Sequence, residues 1–215
     1  MSEKIILLAS GSPRRRELLE RLGLPFERTS ADIDEAVREG EAAADYTIRL
    51  SQEKAQAVLK HAPENRIVLA ADTTVADGPA ILGKPVDADD ARAMLKQLRG
   101  RTHQVYTALT LIEVGTGRSV TDVAVTDVPM RDYSDEEIEA YINSGDPFDK
   151  AGGYAIQNAA FHPVKVLSGC YSNVVGLPMC RLVRALRQFE IKPGVDIHMI
   201  CRTQFDYDCP AVGEA

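Results

Sequence analysis

Apolar residues are grouped along the chain in short segments that predict strands and helices in alternation. The apolar run Ile5–Ala9 predicts a buried strand, and it leads directly into the tetrapeptide SGSP at residues 10–13. Ser12 is a good helix N-cap, Pro13 suits the first helical position, and Gly23 is a natural stop. The pattern therefore predicts a strand, a glycine-containing turn and a helix N-terminus within a few residues.

The middle of the chain continues this pattern. Apolar spacing predicts helices over residues 45–60 and about 91–100, and a second buried strand over residues 66–71 that ends at Asp72. Residues 77–85 are predicted to form a loop. Two segments rich in Thr and Val, 102–114 and 118–130, are separated by Gly-Thr-Gly and predict a long β-hairpin.

The last third of the chain predicts helices joined by a loop. Ser134 and Glu137 have the spacing of a capping box, so a helix should begin there and end near Gly145. A loop follows over residues 145–153, then one or two strands, then a helix over residues 178–189. A strand–helix start followed by a long hairpin favours an α/β fold with a mixed β-sheet and flanking helices, arranged as two lobes around a deep cleft.

Composition and charge narrow the set of partners. Of the 215 residues, 45% are hydrophobic, so the chain can bury a core, and its formal net charge of −7 disfavours nucleic acid and anionic membranes as partners. A small phosphate ligand needs only a local group of cations. The four cysteines show no CxxC spacing, and no apolar run is long enough for a signal peptide or a membrane span. We therefore expect a cytoplasmic protein with free, buried thiols.

The segment Ser10–Arg15 is the strongest candidate for phosphate binding. A glycine turn lets the backbone approach a ligand, a helix N-terminus directs N–H groups at it, and Arg14 and Arg15 add cationic donors. The alternative is an exposed helix start with solvated arginines. Arginines at a helix N-terminus oppose the helix dipole, which favours a functional reason for their position.

Acidic residues form two candidate groups. Asp72 is predicted at a strand end, where a carboxylate can bind a hard cation or accept a proton from water; a simple strand cap is the alternative. Asp32, Asp34 and Glu35 would suit Mg²⁺, although on residue pattern alone a solvated acidic turn is favoured. The four histidines have no zinc-binding spacing.

Three lysines are separate basic candidates. Lys54 lies in a predicted helix, whereas Lys84 and Lys150 lie in glycine- or proline-containing loops, where functional residues concentrate. For any one lysine, a solvated surface charge is the ordinary alternative.

Six segments in a fixed order resemble the Maf family of nucleotide pyrophosphatases. They are LASGSPRRRELLERLGLPFE (7–26), QEKA around Lys54, LAADTTV (69–75), LGKP (82–85), GDPFDKAGGYAIQ (145–157) and NVVGLP (173–178). The resemblance extends from residue 5 to about 190. It implies a domain over residues 1–193 and leaves a C-terminal tail, residues 194–215, whose role it does not address.

The resemblance also implies an activity. Members of this family cleave the α–β phosphoanhydride of a nucleoside triphosphate with a divalent metal, for which Mg²⁺ is expected and Mn²⁺ or Co²⁺ are alternatives, and they are commonly homodimers. Asp72 corresponds to the general base and, with Asp34 and Glu35, to the metal site. Ser10, Arg15, Lys54 and Lys84 correspond to phosphate-handling positions.

Base selection is implied by a third set of positions. Arg14, Thr73 and Gln157 correspond to them, with Lys150 as a further substrate-binding residue, and the GGYAIQ sequence resembles the branch that acts on dTTP and UTP. The pattern departs after Gln157, where Asn158 stands in place of the usual glycine. Two alternatives remain open: a member with another or a broad base preference, and a nucleotide-sensing regulator of cell division that binds triphosphate without cleaving it.

Overall fold

The computed structural model describes residues 4–210, which form a mixed α/β fold around a six-stranded sheet. The strands are β1 (Ile5–Ala9), β2 (Phe26–Thr29), β3 (Arg66–Asp77), β4 (Ala80–Leu82), β5 (Thr102–Glu113) and β6 (Ser119–Pro129). The helices are α1 (Pro13–Glu20), α2 (Ala43–Leu59), α3 (Ala88–Leu98), α4 (Asp135–Asn143), α5 (Tyr171–Val175), α6 (Met179–Arg187) and α7 (Ile197–Gln204). Two 3₁₀ turns, Asp146–Asp149 and Ala151–Gly153, follow α4.

The sheet changes from parallel to antiparallel pairing at β3. β1 pairs in parallel with β2 and β3, whereas β5 and β6 continue the sheet as an antiparallel hairpin. β1 ends at Ala9, but β3 continues for several residues past this point alongside β5. Between the end of β1 and the start of its pairing with β4 at Val75, β3 therefore has a paired strand on the β5 side only. Its other side there lies beside the turn that leads into α1.

The predicted end of the second strand at residue 71 was wrong. Asp72 lies inside β3, where it is the partner of Ala108 on β5, because the hairpin supplies hydrogen bonds along residues 67–76. The predicted loop over residues 77–85 contains the short strand β4. Instead of the strands predicted before the last helix, the chain forms α5 and a single bridge between Met130 and Val164. The helix predicted over residues 178–189 is confirmed as α6, but it is not the last, because α7 follows it.

Three apolar cores lie along the long strands β3 and β5, and the third packs Val68 and Ala70 against α2. The first packs Ile67, Leu69 and Ala71 against α1, α6 and α7, and the second packs Val75 and Val105 against α3 and α4. Between them, β3 and β5 carry buried polar residues, namely Asp72, Thr74 and Thr107. These polar residues lie at the junction between the first and second cores.

Strand periodicity decides which way the junction residues point. Side chains alternate between the two faces of a strand, and Val68 and Ala70 face the core formed with α2. Asp72 continues that face, toward α2. Thr73 follows Ile67, Leu69 and Ala71 on the opposite face, toward α1.

The C-terminal residues pack against the first core. Ile197, Ile200 and Cys201 on α7 are buried with Cys209 among the residues of α1 and α6. The domain boundary at residue 193 stays a prediction. In the part of the chain that the structure describes, no helix combines the length and apolarity needed to cross a membrane.

Candidate active site

A cavity of about 570 Å³ lies where β1 ends beside β3. All the predicted site residues except Asp34 line it: Ser10, Arg14, Arg15, Glu35, Lys54, Asp72, Thr73, Lys84, Lys150 and Gln157. Asp34 is exposed, and its carboxylate accepts a hydrogen bond from the backbone N–H of Ala36 at 2.9 Å. The structure thus collects nearly the whole predicted set in one place.

The N-terminus of α1 forms one end of the cavity. Ser12 caps the helix, since its hydroxyl accepts a hydrogen bond from the backbone N–H of Arg15 at 3.4 Å, and Pro13 begins the first turn. The hydroxyl of Ser10 accepts another from the backbone N–H of Ser12 at 3.2 Å. The unpaired N–H groups of a helix start and its dipole favour an anion at this end.

Arg15 is held by three neutral oxygen atoms. Its Nε donates to the carbonyl of Gly176 at 2.9 Å, Nη2 to the hydroxyl of Thr73 at 2.9 Å, and Nη1 to Ser10 Oγ at 3.4 Å. Thr73 shares a hydrogen bond with Thr107 at 3.0 Å, and Thr107 donates to the carbonyl of Asn173. Burial lowers the pKa of Arg15, and the Asp72 carboxylate opposes this shift. A fixed guanidinium whose charge these contacts leave unneutralised is suited to a phosphate group.

Lys54 on α2 joins two carboxylates. Its Nζ lies 2.6 Å from Asp72 Oδ1 and 2.7 Å from Glu35 Oε1, and Thr74 Oγ1 donates to Asp72 Oδ2 at 3.4 Å. Asp72 is only 6% exposed. Burial alone would raise the pKa of Glu35, but the hydrogen bond and charge of Lys54, with Lys84 and Arg15, lower it overall. Glu35 is therefore ionised at neutral pH.

Asp72 and Glu35 are two carboxylates of the cavity that could hold a divalent metal ion. Within residues 4–210, no group of three or more His, Cys, Asp or Glu side chains could hold a metal by itself. Asp72 and Glu35 nevertheless converge on one ammonium group. Mg²⁺ is usually bound by one or two carboxylates together with substrate phosphates, which matches this pair.

The loop after α4 binds its own charged residues. Lys150 Nζ donates to the carboxylates of Asp146 and Asp149, at 2.9 and 2.5 Å, and to the backbone carbonyl of Asp146. Arg14 Nη1 lies 2.9 Å from Asp149 Oδ2, which ties α1 to this loop. Lys150 lines the cavity, but its ammonium group is bound by the loop.

Gly152 fixes this loop against the sheet. Its N–H donates to the carbonyl of Gly83 at 2.9 Å, and its φ of 70° lies in the left-handed region. A Cβ atom here would lie 3.0 Å from both methyl groups of Val75. Glycine is required on both grounds, and the contact joins the LGKP and GGYAIQ segments.

Lys84 and Gln157 line the cavity, and their side chains are not held by other described residues in the way that Arg15 and Lys150 are. Both are exposed and line the cavity. Within the described residues, neither side chain forms a hydrogen bond or an ion pair, and both are therefore available to a ligand.

Two aromatic groups of the cavity were missed from the sequence. Tyr46 donates from its hydroxyl to the carbonyl of Glu35 at 2.9 Å, and its pKa is raised to about 12 by burial and by the charges of Asp72 and Glu35. Tyr46 is eight residues before Lys54, a helical spacing that places both on one side of α2 and could have indicated it. For Tyr154, no spacing in the sequence indicated a place in the cavity.

Tyr154 is held by His103 on β5. The Tyr154 hydroxyl lies 2.7 Å from His103 Nε2, and the rings pack edge to face. His103 is 2% exposed, and burial lowers its pKa to about 4 against the opposing charges of Asp77 and Asp127. His103 is therefore neutral at pH 7. The pair spans 51 residues of sequence, so no local pattern could predict it.

Comparison with known proteins agrees with the resemblance seen in the sequence. The family model described as Maf-like protein matches residues 5–189. The dTTP/UTP pyrophosphatase of Hahella chejuensis is 50% identical over 189 residues, which cover 87% of this chain and 93% of that protein. The dTTP/UTP pyrophosphatase of Chromobacterium violaceum is 50% identical over 188 residues, covering 86% and 94% respectively.

A solved structure is also similar. The nucleoside-triphosphatase / dITP/XTP pyrophosphatase from Mycobacterium abscessus superposes with a TM-score of 0.41 and 23% identity over 60% of this chain and 75% of that one. The match of residues 5–189 and the long, highly identical alignments are decisive: this chain belongs to the Maf family.

Proposed function

We propose that the protein hydrolyses dTTP and UTP to the nucleoside monophosphate and pyrophosphate, and so removes canonical or modified pyrimidine nucleotides from the pool. The observation that carries this proposal is the arrangement of Asp72, Lys54 and Glu35 beside Arg15 in one cavity of a Maf-family chain. The relatives named dTTP/UTP pyrophosphatase, at 50% identity, support the same reaction.

The phosphates bind at the cationic end of the cavity. The start of α1 offers backbone N–H groups, Arg15 offers a fixed guanidinium, and Lys84 offers an exposed ammonium. Phosphoryl transfer depends mainly on positioning and on neutralising charge that develops on the phosphate oxygens. Ser10 and Arg15 are already joined by a hydrogen bond, so little reorganisation accompanies substrate binding.

Asp72 is the proton acceptor. A water oxygen attacks the α-phosphorus, the bond from that phosphorus to the α–β bridging oxygen breaks, and pyrophosphate leaves with the bridging oxygen. The Asp72 carboxylate accepts the water proton. The ion pair with Lys54 and the hydrogen bond from Thr74 hold the carboxylate in one orientation.

A divalent metal completes the site in this proposal. Asp72 and Glu35 would hold it, with Mg²⁺ as the expected ion and Mn²⁺ or Co²⁺ as alternatives. When bound, the metal would neutralise phosphate charge and favour ionisation of water. Asp34, whose carboxylate lies off the cavity lining, is less suited to this role than Glu35.

The base occupies the part of the cavity lined by apolar and loop residues. Apolar lining comes from Val75, Leu82, Tyr154 and Ile156. The exposed amide of Gln157 carries an acceptor and two donors, which match the N3–H and a carbonyl oxygen of uracil or thymine.

Arg14, Thr73 and Lys150 contribute less directly to base selection. Arg14 is bound by Asp149, Thr73 by Arg15, and Lys150 by its own loop. We assign these residues to shaping the cavity around Gln157. The homodimer and the cytoplasmic location implied by the resemblance belong to the same proposal, and light scattering and cell fractionation test them.

Pyrophosphate release across a panel of nucleoside triphosphates tests the proposed function. We expect dTTP and UTP to be hydrolysed fastest, and only when Mg²⁺ or another divalent metal is added. Binding of dTTP without any turnover, with or without metal, would favour the sensor alternative. Equal rates for purine and pyrimidine triphosphates would overturn the base assignment.

A further inference from the structure

Glu35 reaches the cavity from a loop that contains neither helix nor strand. This Glu35 loop, residues 30–42, joins the end of β2 to the start of α2, and most of its residues are exposed. Glu35 Oε1 nevertheless lies 2.7 Å from Lys54 Nζ. An exposed segment without regular secondary structure is held in one conformation only where specific contacts offset its conformational entropy. The position of Glu35 therefore depends on what restrains the loop.

Helix α2 supplies these restraints. Within the part of the chain that the structure describes, every hydrogen bond and ion pair between residues 34–41 and other segments is made with α2. Tyr46, Arg49 and Glu53 are spaced by three and four residues, so they lie along one face of the helix. Lys54, which follows Glu53, binds the Glu35 carboxylate. The helix that carries Lys54 thus also carries the groups that hold the loop.

Arg49 makes most of these contacts. Its Nε and Nη2 donate to the two carboxylate oxygens of Glu41 at 2.6 and 2.7 Å, and Nη2 also donates to the carbonyl of Ala36 at 3.0 Å. The side chains of Arg49 and Glu41 are only 12% and 10% exposed. A guanidinium that binds a carboxylate through two parallel hydrogen bonds fixes geometry as well as charge. Arg49 therefore fastens the loop at Glu41 and at the residue that follows Glu35.

Tyr46 provides a third attachment, at Glu35 itself. Its hydroxyl donates to the carbonyl of Glu35 at 2.9 Å. The guanidinium of Arg49 lies over the Tyr46 ring, with 5.4 Å between Cζ and the ring centroid, a cation–π arrangement that favours this ring position. Arg49 thus contacts the loop directly at two points and supports the residue that makes the third.

We propose that Arg49 is a positioning residue of the active site, which holds residues 35–41 against α2 and so keeps the Glu35 carboxylate beside Lys54 and Asp72. Arg49 is outside the cavity lining, so it acts through Glu35 and not on the substrate. Groups that orient a metal-binding or substrate-binding side chain typically contribute 10–100-fold to metal affinity or activity. The kinetic consequence rests on the proposed function, whereas the restraint of the loop does not.

Backbone order parameters from ¹⁵N relaxation of the full chain test the restraint without any nucleotide. For residues 34–41 we expect values of about 0.85 in the wild type and below about 0.6 in Arg49→Ala, with β3 unchanged. Arg38→Ala is the matched control, because it removes the same charge from the loop itself. Arg38 pairs with Glu53 but is 64% exposed, and an exposed ion pair contributes little, so wild-type values are expected.

Unchanged order parameters in Arg49→Ala would overturn the proposal. If Arg49→Ala does not fold, Arg49→Lys takes its place. One ammonium group keeps the charge but cannot match the fork of contacts to Glu41 and Ala36, so intermediate order parameters are expected, and wild-type values would count against the proposal in the same way.

A double-mutant cycle tests the link to Glu35. Arg49→Ala should lower kcat/KM for dTTP by about 10–100-fold, Arg49→Lys should recover part of the loss, and Arg49→Ala combined with Glu35→Ala should be no slower than Glu35→Ala alone. Losses that multiply in the double variant, or an equal loss in Arg38→Ala, would show general support of the fold and overturn the proposal. If the wild type cleaved no triphosphate, the proposed function would fail, while the order parameters would still decide whether Arg49 holds the loop.

Discussion

The two walls of the main cavity differ in how firmly their side chains are held. The fixed wall is formed by Asp72 of β3 and Arg15 of α1, which are each bound by several neighbours. The exposed wall is formed by Lys84 and Gln157, which, within the described part of the chain, make no side-chain hydrogen bonds. The difference matches two tasks. Cleavage of a phosphoanhydride is common to every triphosphate and benefits from fixed groups. Reading a base falls to Gln157, whose side chain can adapt, and Lys84 adds an unrestrained cation for the phosphates.

The fixed wall is also the more charged one. Lys54 lies between Asp72 and Glu35, and the cation and the carboxylates stabilise one another in a largely buried position. A buried charge that loses its partner is costly, so a change at Asp72 or Lys54, which are both largely buried, should affect the site strongly. Changes on the exposed wall should have smaller effects, and the change at Gln157 should be selective for the base.

The largest effect is expected for Asp72→Asn. The amide preserves the shape of the side chain but removes its charge and basicity, so turnover of dTTP should fall by roughly 10²–10⁴-fold while the fold is retained. The rate and the melting temperature are measured together. Asp77→Asn is the matched control, because Asp77 ends the same strand but pairs with Arg101 away from the cavity lining. A variant that kept more than about a tenth of the rate would remove Asp72 from the role of base.

Arg15→Ala should lower kcat/KM by roughly 10²–10³-fold, the usual effect of losing one fixed donor to a transition state. The loss should be equal for all accepted nucleotides, because phosphates are common to them. Arg16→Ala is the control on the same helix, since Arg16 pairs with Glu20. A changed ratio of dTTP to CTP hydrolysis would show that Arg15 reads the base instead.

His103 predicts how stability depends on pH. Its pKa is about 4 when folded, against about 6.5 when unfolded, so the unfolded chain binds more protons between these values. The contribution of neutral His103 is therefore fully present above pH 6.5 and is lost as the pH falls toward 4, by about 3 kcal/mol in total. Between pH 7 and 5, chemical denaturation should show about 2 kcal/mol of this loss.

His103→Gln should remove that part of the pH dependence. His198→Gln is the control, because His198 is exposed on α7. Equal pH dependence in both variants would mean that His103 does not titrate as described and that burial does not keep it neutral.

Gln157→Ala should act selectively. Loss of the amide leaves the imide edge of the base partly unpaired, at about 1–3 kcal/mol per lost partner, so kcat/KM for dTTP and UTP should fall roughly ten- to a hundredfold. The value for CTP should change little. Gln188→Ala, an exposed glutamine at the end of α6 and outside the cavity lining, is the control. Equal losses for all pyrimidines would assign Gln157 to supporting the loop.

Lys84→Ala is expected to have the smallest effect, about a tenfold loss that is the same for every nucleotide, worth roughly 1.4 kcal/mol. Lys84 and Gln157 share the exposed wall, so the pair separates phosphate binding from base reading on one surface. Steady-state kinetics on dTTP, UTP and CTP measure both. A change in base preference at Lys84 would contradict its assignment to the phosphates.

Local patterns in the sequence predicted much of the fold. The Ser12 cap, the capping box at Ser134 and the long hairpin are all confirmed, because each depends on neighbouring residues or on strand periodicity. The end of the strand at Asp72 was predicted wrongly, because the extension of β3 depends on hydrogen bonds from a hairpin more than thirty residues away in sequence. Helix α7 lies in the tail that the family pattern does not reach.

The sequence predicted which residues belong to the site, but it did not predict the contacts between them. Matching segments indicated Asp72, Lys54 and Arg15, yet no pattern in the sequence showed that Lys54 joins Asp72 to Glu35, or that Lys150 is bound by its own loop. Such pairings depend on tertiary packing, which brings together residues on different elements. The same limit explains why the contact between Tyr154 and His103 was missed.

The products formed from dTTP by the wild-type protein test the central claim most directly. Chromatography of the reaction with Mg²⁺ should yield dTMP and pyrophosphate in equal amounts, with no dTDP at any time point. Formation of dTDP and inorganic phosphate would place the cleavage at the β–γ bond. That result, or the absence of any product, would contradict the account given for this cavity.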